Sequence, residues 1–300
     1  MHTTPILVPR STRDKLRTSG IGTNDDILSF DMADIPETKE SDAEIIERMR
    51  KRFYMLERMT KAIADGDCRS MVVSGAPGIG KTHGVEKVLQ ENYITQILQN
   101  EHTKKPFEVI GGDVSPVGLY MKLYEWSEEG KILVFDDCDE AIRNIKCLNL
   151  LKHALDTGEK KRILSWAKDS RTLRENDVPN SFEFKGGVII ITNINFDYVT
   201  NKTLKVHLQA LDDRSHVMDL TIHTPREKIL RIKQCIQDGM LSKSRLNEDQ
   251  VHDLTRFIDD NQSLIRQLTL RTVKKITELM LFDPDNWKEL ATITCMKGVR

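Results

Sequence analysis

This 300-residue chain has no long apolar run. Its longest apolar stretches, around Ile132–Phe135 and Val188–Ile191, are strand-sized and fall well short of the roughly 18 residues a membrane helix needs. Membrane-spanning helical classes are thereby set aside. The opening residues, MHTTPILVPR, carry an apolar segment too short for a secretory leader and show no small-residue cleavage site. The cytoplasm is the expected location, or a host cytoplasm for a viral gene. A cysteine framework is missing as well. Cys68, Cys138, Cys147, Cys235 and Cys295 are scattered, with no CxxC pair and no histidine at zinc-binding spacing, so they read as reduced thiols. Nor is there an excess of one charge. A net charge of −1 argues against coating nucleic acid by bulk electrostatics and leaves room only for a local basic strip.

The length suits one large domain or two modest ones. Residues 1 to about 40 are polar, carry Pro5, Pro9, Gly20, Gly22 and Pro36, and read as a flexible arm. Ser41-x-x-Glu44 is a capping-box pattern, followed by Ile45, Met49, Phe53, Leu56 and Met59 at helical spacing, with Gly66 as the stop. Strands and helices then alternate. Strands are expected at 70–74, 107–110, 131–135, 188–191 and 217–222, with helices over 82–99, 116–127, 141–155 and 203–211. Buried β-branched strands separated by helices imply a parallel sheet covered on both faces. Beyond Ile222 only helices are expected, over 225–237, 248–260 and 263–281, so a domain boundary falls near residue 223.

Gly75-Ala76-Pro77-Gly78-Ile79-Gly80-Lys81-Thr82 matches G-x-x-x-x-G-K-[ST] without departure, between a strand and a helix. Glycines let backbone N–H groups converge on phosphate oxygens, and the helix N-terminus adds positive potential. Lys81 is expected to reach the β- and γ-phosphates of ATP, and the Thr82 hydroxyl to ligate Mg²⁺. Ile132-Leu133-Val134-Phe135-Asp136-Asp137 ends a strand in adjacent carboxylates. Asp136 is the expected second Mg²⁺ holder and Asp137 the group that polarises the attacking water. Asp139 and Glu140 lie close enough in sequence to share the task, or to cap the next helix.

The order of these parts resembles the AAA+ ATPases over about residues 45–281. In such proteins the second acidic position usually holds Glu, so Asp137 is one methylene short. The resemblance implies a P-loop αβα sandwich with a five-stranded parallel sheet, followed by a small all-helical lid. The implied parts are an arm over 1–40, a linker helix over 41–68, the ATPase core over 69–223 and the lid over 224–300. Val188-Ile189-Ile190-Ile191-Thr192-Asn193 looks like the sensor 1 strand, with Asn193 as its tip and Thr192 and Asn195 as alternatives. Leu211-Asp212-Asp213-Arg214-Ser215 stands where relatives carry an arginine finger, which assigns that role to Arg214; a surface pairing with Asp212 or Asp213 is the plainer reading. Leu268-Thr269-Leu270-Arg271-Thr272 resembles the start of the sensor 2 helix, which gives Arg271 the γ-phosphate contact and leaves Arg266 as the fallback. The implied assembly is a homo-oligomer, with a hexamer favoured.

Between the helix ending near Asp156 and the sensor 1 strand lies an insertion that reads as a hairpin and resembles the pre-sensor-1 hairpin clade. Lys160, Lys161, Arg162, Lys168, Arg171 and Arg174 cluster on it, with Trp166 among them. Basic groups with an aromatic can track a phosphate backbone and stack a base, so DNA is an expected partner. The bland alternative packs Trp166 on the core. Tyr120, Tyr124 and Trp126 could line a pore that grips protein, but they also fit a buried helix face, the better reading. A motor on DNA, a remodeller of protein complexes and a nucleotide-gated scaffold with little turnover all remain open.

Overall fold

The computed structural model describes residues 40–99, 106–158, 160–222 and 224–298. All but the last residue of the expected N-terminal arm therefore lies outside the described residues. The first helix, α1 (Asp42–Ala64), starts with Ser41 as N-cap in a closed capping box with Glu44. Gly66, at φ +84°, carries the chain out of it. Then follow β1 (Ser70–Ser74), α2 (Lys81–Gln99), β2 (Phe107–Gly111), α3 (Pro116–Glu125) and β3 (Ile132–Asp136).

The amphipathic stretch expected as one helix over 141–155 is two helices, α4 (Asp139–Arg143) and α5 (Ile145–Ala154). Asn144 adopts extended backbone, and its side chain accepts from the N–H groups of Lys146 and Cys147, so it caps the second helix and ends the first. The insertion is a two-stranded antiparallel hairpin, β4 (Ile163–Ser165) with β5 (Ser181–Glu183), enclosing a short helix α6 (Arg171–Glu175). Next come β6 (Gly187–Thr192), α7 (Lys202–Asp212) and β7 (His216–Asp219).

The main sheet is five-stranded, in the order β2-β3-β6-β1-β7, with every pairing parallel. Its register decides where the chemistry sits. Ser74 pairs with Thr192, and Asp136 with Ile191, so β3, β6 and β1 end together at one edge. Such carboxyl ends of strands are where open α/β sheets bind ligands. One face of the sheet packs Val72, Leu133, Val188 and Ile190 against α3, α5 and α7; the other packs Met71, Val73, Val134 and Ile189 against α1 and α2.

The C-terminal part is helical, with α8 (Pro225–Gln237), α9 (Glu248–Asp260), α10 (Leu270–Phe282) and α11 (Trp287–Cys295) around its own core of Ile232, Leu254, Ile276 and Trp287. Two expectations are corrected here. The third helix begins at Leu270 and not at Ser263, because Thr269 caps it from extended backbone. A fourth helix, α11, also completes the bundle. Among the described residues no helix is long and apolar enough to cross a membrane.

Candidate nucleotide site

The glycine loop leaves β1 and enters α2 with Gly75, Gly78 and Gly80 all at positive φ (152°, 71° and 102°). At Gly78 the backbone region is one L side chains rarely adopt, and a Cβ there would come within 2.7 Å of Thr269 Cβ. Lys81, the first residue of α2, is buried. Its Nζ donates to Gly75 O (2.7 Å), Ala76 O (3.0 Å) and Asn193 Oδ1 (2.9 Å). Burial pulls its pKa down to about 8, against the opposing pull of Asp137, Asp136 and Asp139.

One residue on, Thr82 Oγ1 lies 2.9 and 3.0 Å from the two carboxylate oxygens of Asp136, joining the loop to the end of β3. Burial raises the Asp136 pKa, the Thr82 hydrogen bond lowers it, and Asp137 raises it further. A hydroxyl and a carboxylate oxygen are the hard donors that suit Mg²⁺. Among the described residues no group of three or more His, Cys, Asp or Glu side chains is placed to hold a metal by itself.

Asp137 turns the chain at φ 53° as it leaves β3, a conformation Asp tolerates better than most residues, and its N–H donates to Ile191 O. Asn193 Nδ2 donates to Asp137 Oδ1 at 2.7 Å, so the polar residue just past β6 bridges Lys81 and Asp137. From the lid, Arg271 Nη2 comes within 3.7 Å of Asp137 Oδ2. The structure thus brings Lys81, Thr82, Asp136, Asp137, Asn193 and Arg271 to one mouth.

Several alternatives are occupied elsewhere. Thr192 Oγ1 donates to Asp139 Oδ1 at 2.7 Å, which ties both inside the fold. Asn195 accepts from Asp197 N–H and caps a short 3-10 turn. Arg266 Nε donates to the carbonyl of Met296, just past α11. Arg214 is not at the mouth. It precedes β7, whose His216 pairs with Met71, so it lies beyond the amino-terminal ends of β1 and β7, across the sheet from Gly75. There Nη1 donates to Ala210 O at 2.7 Å, and Asp213 stands 3.9 Å away.

The insertion corrects part of the basic strip. Arg162 points inward, donates to Ala154 O and Gly186 O, and sits over the Phe184 ring. Trp166 packs on Tyr120 at 5.6 Å between centroids, and its ring N–H is buried without a hydrogen-bond partner among the described residues. Packing of the hairpin's inner face turns both side chains toward the core, where they are partly buried. Lys160, Lys161, Lys168, Arg171 and Arg174 stay exposed. Tyr120 and Trp126 are buried, as expected of a core helix face.

No family model matches the chain. The sequence is 34% identical over 268 residues to an uncharacterized 36.7 kDa protein from the nrdC-mobD intergenic region of Enterobacteria phage T4, covering 88% of this chain and 80% of that one. The chain belongs to that family. Its five-stranded parallel sheet carries the glycine loop after β1, the acidic pair after β3 and a polar tip on β6, with a helical bundle following. Among solved structures it overlaps domain III of the Thermotoga maritima replication initiation protein DnaA at TM-score 0.42 and 14% identity, over 82% of this chain and 92% of that chain. It also overlaps the Aeropyrum pernix ORC2 protein at TM-score 0.44 and 12% identity, over 88% and 70%. Both overlaps are loose and carry no argument about what this T4-type chain acts on.

One site neighbour escapes sequence reasoning. Arg231, on α8, lies against the loop with Nε 3.4 Å from Ile79 O. No motif marks it, and only the folding of α8 across α1 brings it there.

Proposed function

We propose that this T4-type protein binds ATP with Mg²⁺ and hydrolyses it to ADP and phosphate. The observation that carries the reading is the Thr82–Asp136 pair, 2.9 Å apart beside Lys81 on one glycine loop. The loop N–H groups and Lys81 would cradle the phosphates. Thr82 and Asp136 would hold Mg²⁺, with its remaining positions left to water and phosphate oxygens. The ion would supply neutralisation of charge on the transferring phosphoryl group. Asp137, oriented by Asn193, would accept a hydrogen bond from the attacking water, and Arg271 would face the γ-phosphate from the lid. Phosphate release by wild type, Lys81→Ala and Asp136→Ala, each with and without Mg²⁺, tests this. Turnover only in wild type with the ion is expected; equal rates in all three proteins would end the proposal.

Arg214 supports the oligomeric part of the reading. It lies across the sheet from its own loop, a position compatible with a finger that would act on another copy's phosphates in trans. A ring of such copies, six by preference, is the assembly we infer.

For the polymer engaged, DNA draws support from the exposed lysines and arginines of the insertion. Protein remodelling gains from the inward turn of Trp166 and Arg162, which removes the stacking aromatic. Turnover measured with single- and double-stranded DNA decides between them. Stimulation that disappears in a Lys160→Ala, Lys161→Ala, Lys168→Ala variant favours DNA, and no stimulation in wild type removes it.

A further inference from the structure

The inference rests on the ATP reading and on the trans role given to Arg214 above, and it adds a second group to that role. Helices α5 and α7 pack through Leu148, Leu151, Leu204, Leu208 and Leu211, which share one core. Beside this seam stand Lys152 of α5, His207 of α7 and Arg214 just past the end of α7, all partly buried.

Lys152 Nζ lies 2.9 Å from His207 Nδ1, so a neutral imidazole accepts from the ammonium and holds it against α7. Three residues on from His207, on the same helix face, Ala210 offers its carbonyl to Arg214 Nη1 at 2.7 Å. The guanidinium therefore folds back to about one helical turn, roughly 5 Å along the axis, from the residue that holds the lysine.

Little offsets these two cations. Among the described residues no ion pair involves Lys152, and the Asp213 carboxylate 3.9 Å from Arg214 is itself largely in water. Burial and then the Arg214 charge push the Lys152 pKa below its usual value. Like charges kept together in this way repel, and an incoming anion would relieve both.

Both cations belong to one edge of the molecule. Arg69, the residue before β1, donates to Asp156 O at 2.8 Å, which fixes the end of α5 at the amino-terminal ends of the strands. Ser70 Oγ donates to Arg214 O at 3.4 Å and fixes Arg214 at the same edge. The five residues of β1 separate this edge from Gly75. A strand of that length spans roughly 17 Å, more than a lysine side chain can reach.

We propose that Lys152 is a second cation acting in trans: beside Arg214 it meets the terminal phosphates of the ATP held by a neighbouring copy, and His207 aims it there. Charge in phosphoryl transfer spreads over three equatorial oxygens. The guanidinium forks onto two oxygens, and the ammonium brings a compact charge to the third.

Phosphate release at saturating ATP, without DNA, tests this on the full chain. Lys152→Met should lose about 10²-fold in rate while ATP stays bound. Mixing reads where the lost group acts. Lys81→Ala protein carries an intact Lys152 and should restore part of the rate, since it supplies the missing cation to its neighbour's loop. Arg214→Ala protein should restore none, because both defects lie on the same face. His207→Asn, whose side-chain carbonyl still accepts, should keep more of the rate than His207→Leu. Equal rates in those two would overturn the aiming role.

A wild-type rate in Lys152→Met overturns the proposal. So does failure of Lys81→Ala to restore it where the same protein restores Arg214→Ala. Restoration by Arg214→Ala would put Lys152 to work on its own copy's nucleotide, and a loss seen only once DNA is added would assign it to a phosphate backbone; either overturns the proposal. If wild type releases no phosphate, or Arg214→Ala gains nothing from Lys81→Ala, the reading underneath fails and takes this one with it.

Discussion

The backbone N–H of Leu270 donates to the carbonyl of Gly78 at 2.9 Å, so the first turn of α10 is fastened directly to the phosphate loop. Arg271 follows Leu270, and the same hydrogen bond therefore sets its distance from Asp137. Lid and loop are coupled through backbone, which a side-chain substitution in the lid cannot cut.

A methyl group at Gly78 attacks that junction. Gly78→Ala would place a carbon 2.7 Å from Thr269 Cβ at φ +71°, a conformation costing roughly 1–2 kcal/mol for a non-glycine residue before the clash is counted. A melting temperature lower by several degrees is expected, together with weaker ATP binding. A variant that melts with wild type would show that α10 does not dock on the loop in solution.

Asn193 and Asp137 act as one unit, because a single amide orients the carboxylate and holds Lys81 at the same time. Asn193→Ala and Asp137→Asn should each slow phosphate release by about 10²–10⁴ while ATP remains bound, and the double variant should be little worse than the poorer single. Additive losses would separate their roles. If wild type itself releases phosphate no faster than Asp137→Asn, the scaffold reading takes over.

Lys81 makes nucleotide affinity depend on pH. Burial brings its pKa from 10.5 to about 8. Between those values the unfolded chain holds a proton that the folded chain has released, so the ligand-free protein gains stability as pH rises through that window. Phosphate requires the charged amine, so ATP affinity should fall above about pH 8, by at most tenfold per unit, with a proton taken up on binding. Calorimetry in two buffers of different ionisation enthalpy measures that uptake. None at alkaline pH would mean that Lys81 stays charged throughout.

Arg214 can be tested by mixing. Arg214→Ala should retain ATP and lose hydrolysis, and adding Lys81→Ala protein should restore part of the rate, since each variant then supplies what its neighbour lacks. Light scattering in ATP and ADP reads the assembly alongside. Monomers in both nucleotides, with no restored rate, would reduce Arg214 to a surface arginine beside Asp213.

The glycine loop, the acidic strand end, the polar residue after β6 and the alternation of strands with helices are legible from local pattern, because each depends on residue types at fixed spacing along one element. The same is true of the helix over 225–237 and the capping box at Ser41. Local pattern failed where two signals compete. An amphipathic period runs unbroken through Asn144, yet its side chain satisfies the N–H groups of a new helix better than it continues the old one. Periodicity likewise extended the last expected helix back to Ser263, although Arg266 and Lys297 pair those residues with the strand-like end of the chain.

The amino-acid order alone therefore settled that Lys81, Thr82 and Asp136 exist at spacings suited to a triphosphate. Only the packed chain could decide which cations face solvent and which face the fold. Trp166 and Arg162 turned inward because the hairpin's apolar side had to be covered, while Arg231 was carried to the loop by a helix more than 140 residues away in sequence, a separation of 152 from Ile79. Burial and proximity between distant elements follow from the whole arrangement of apolar surface, which no short window of residues contains.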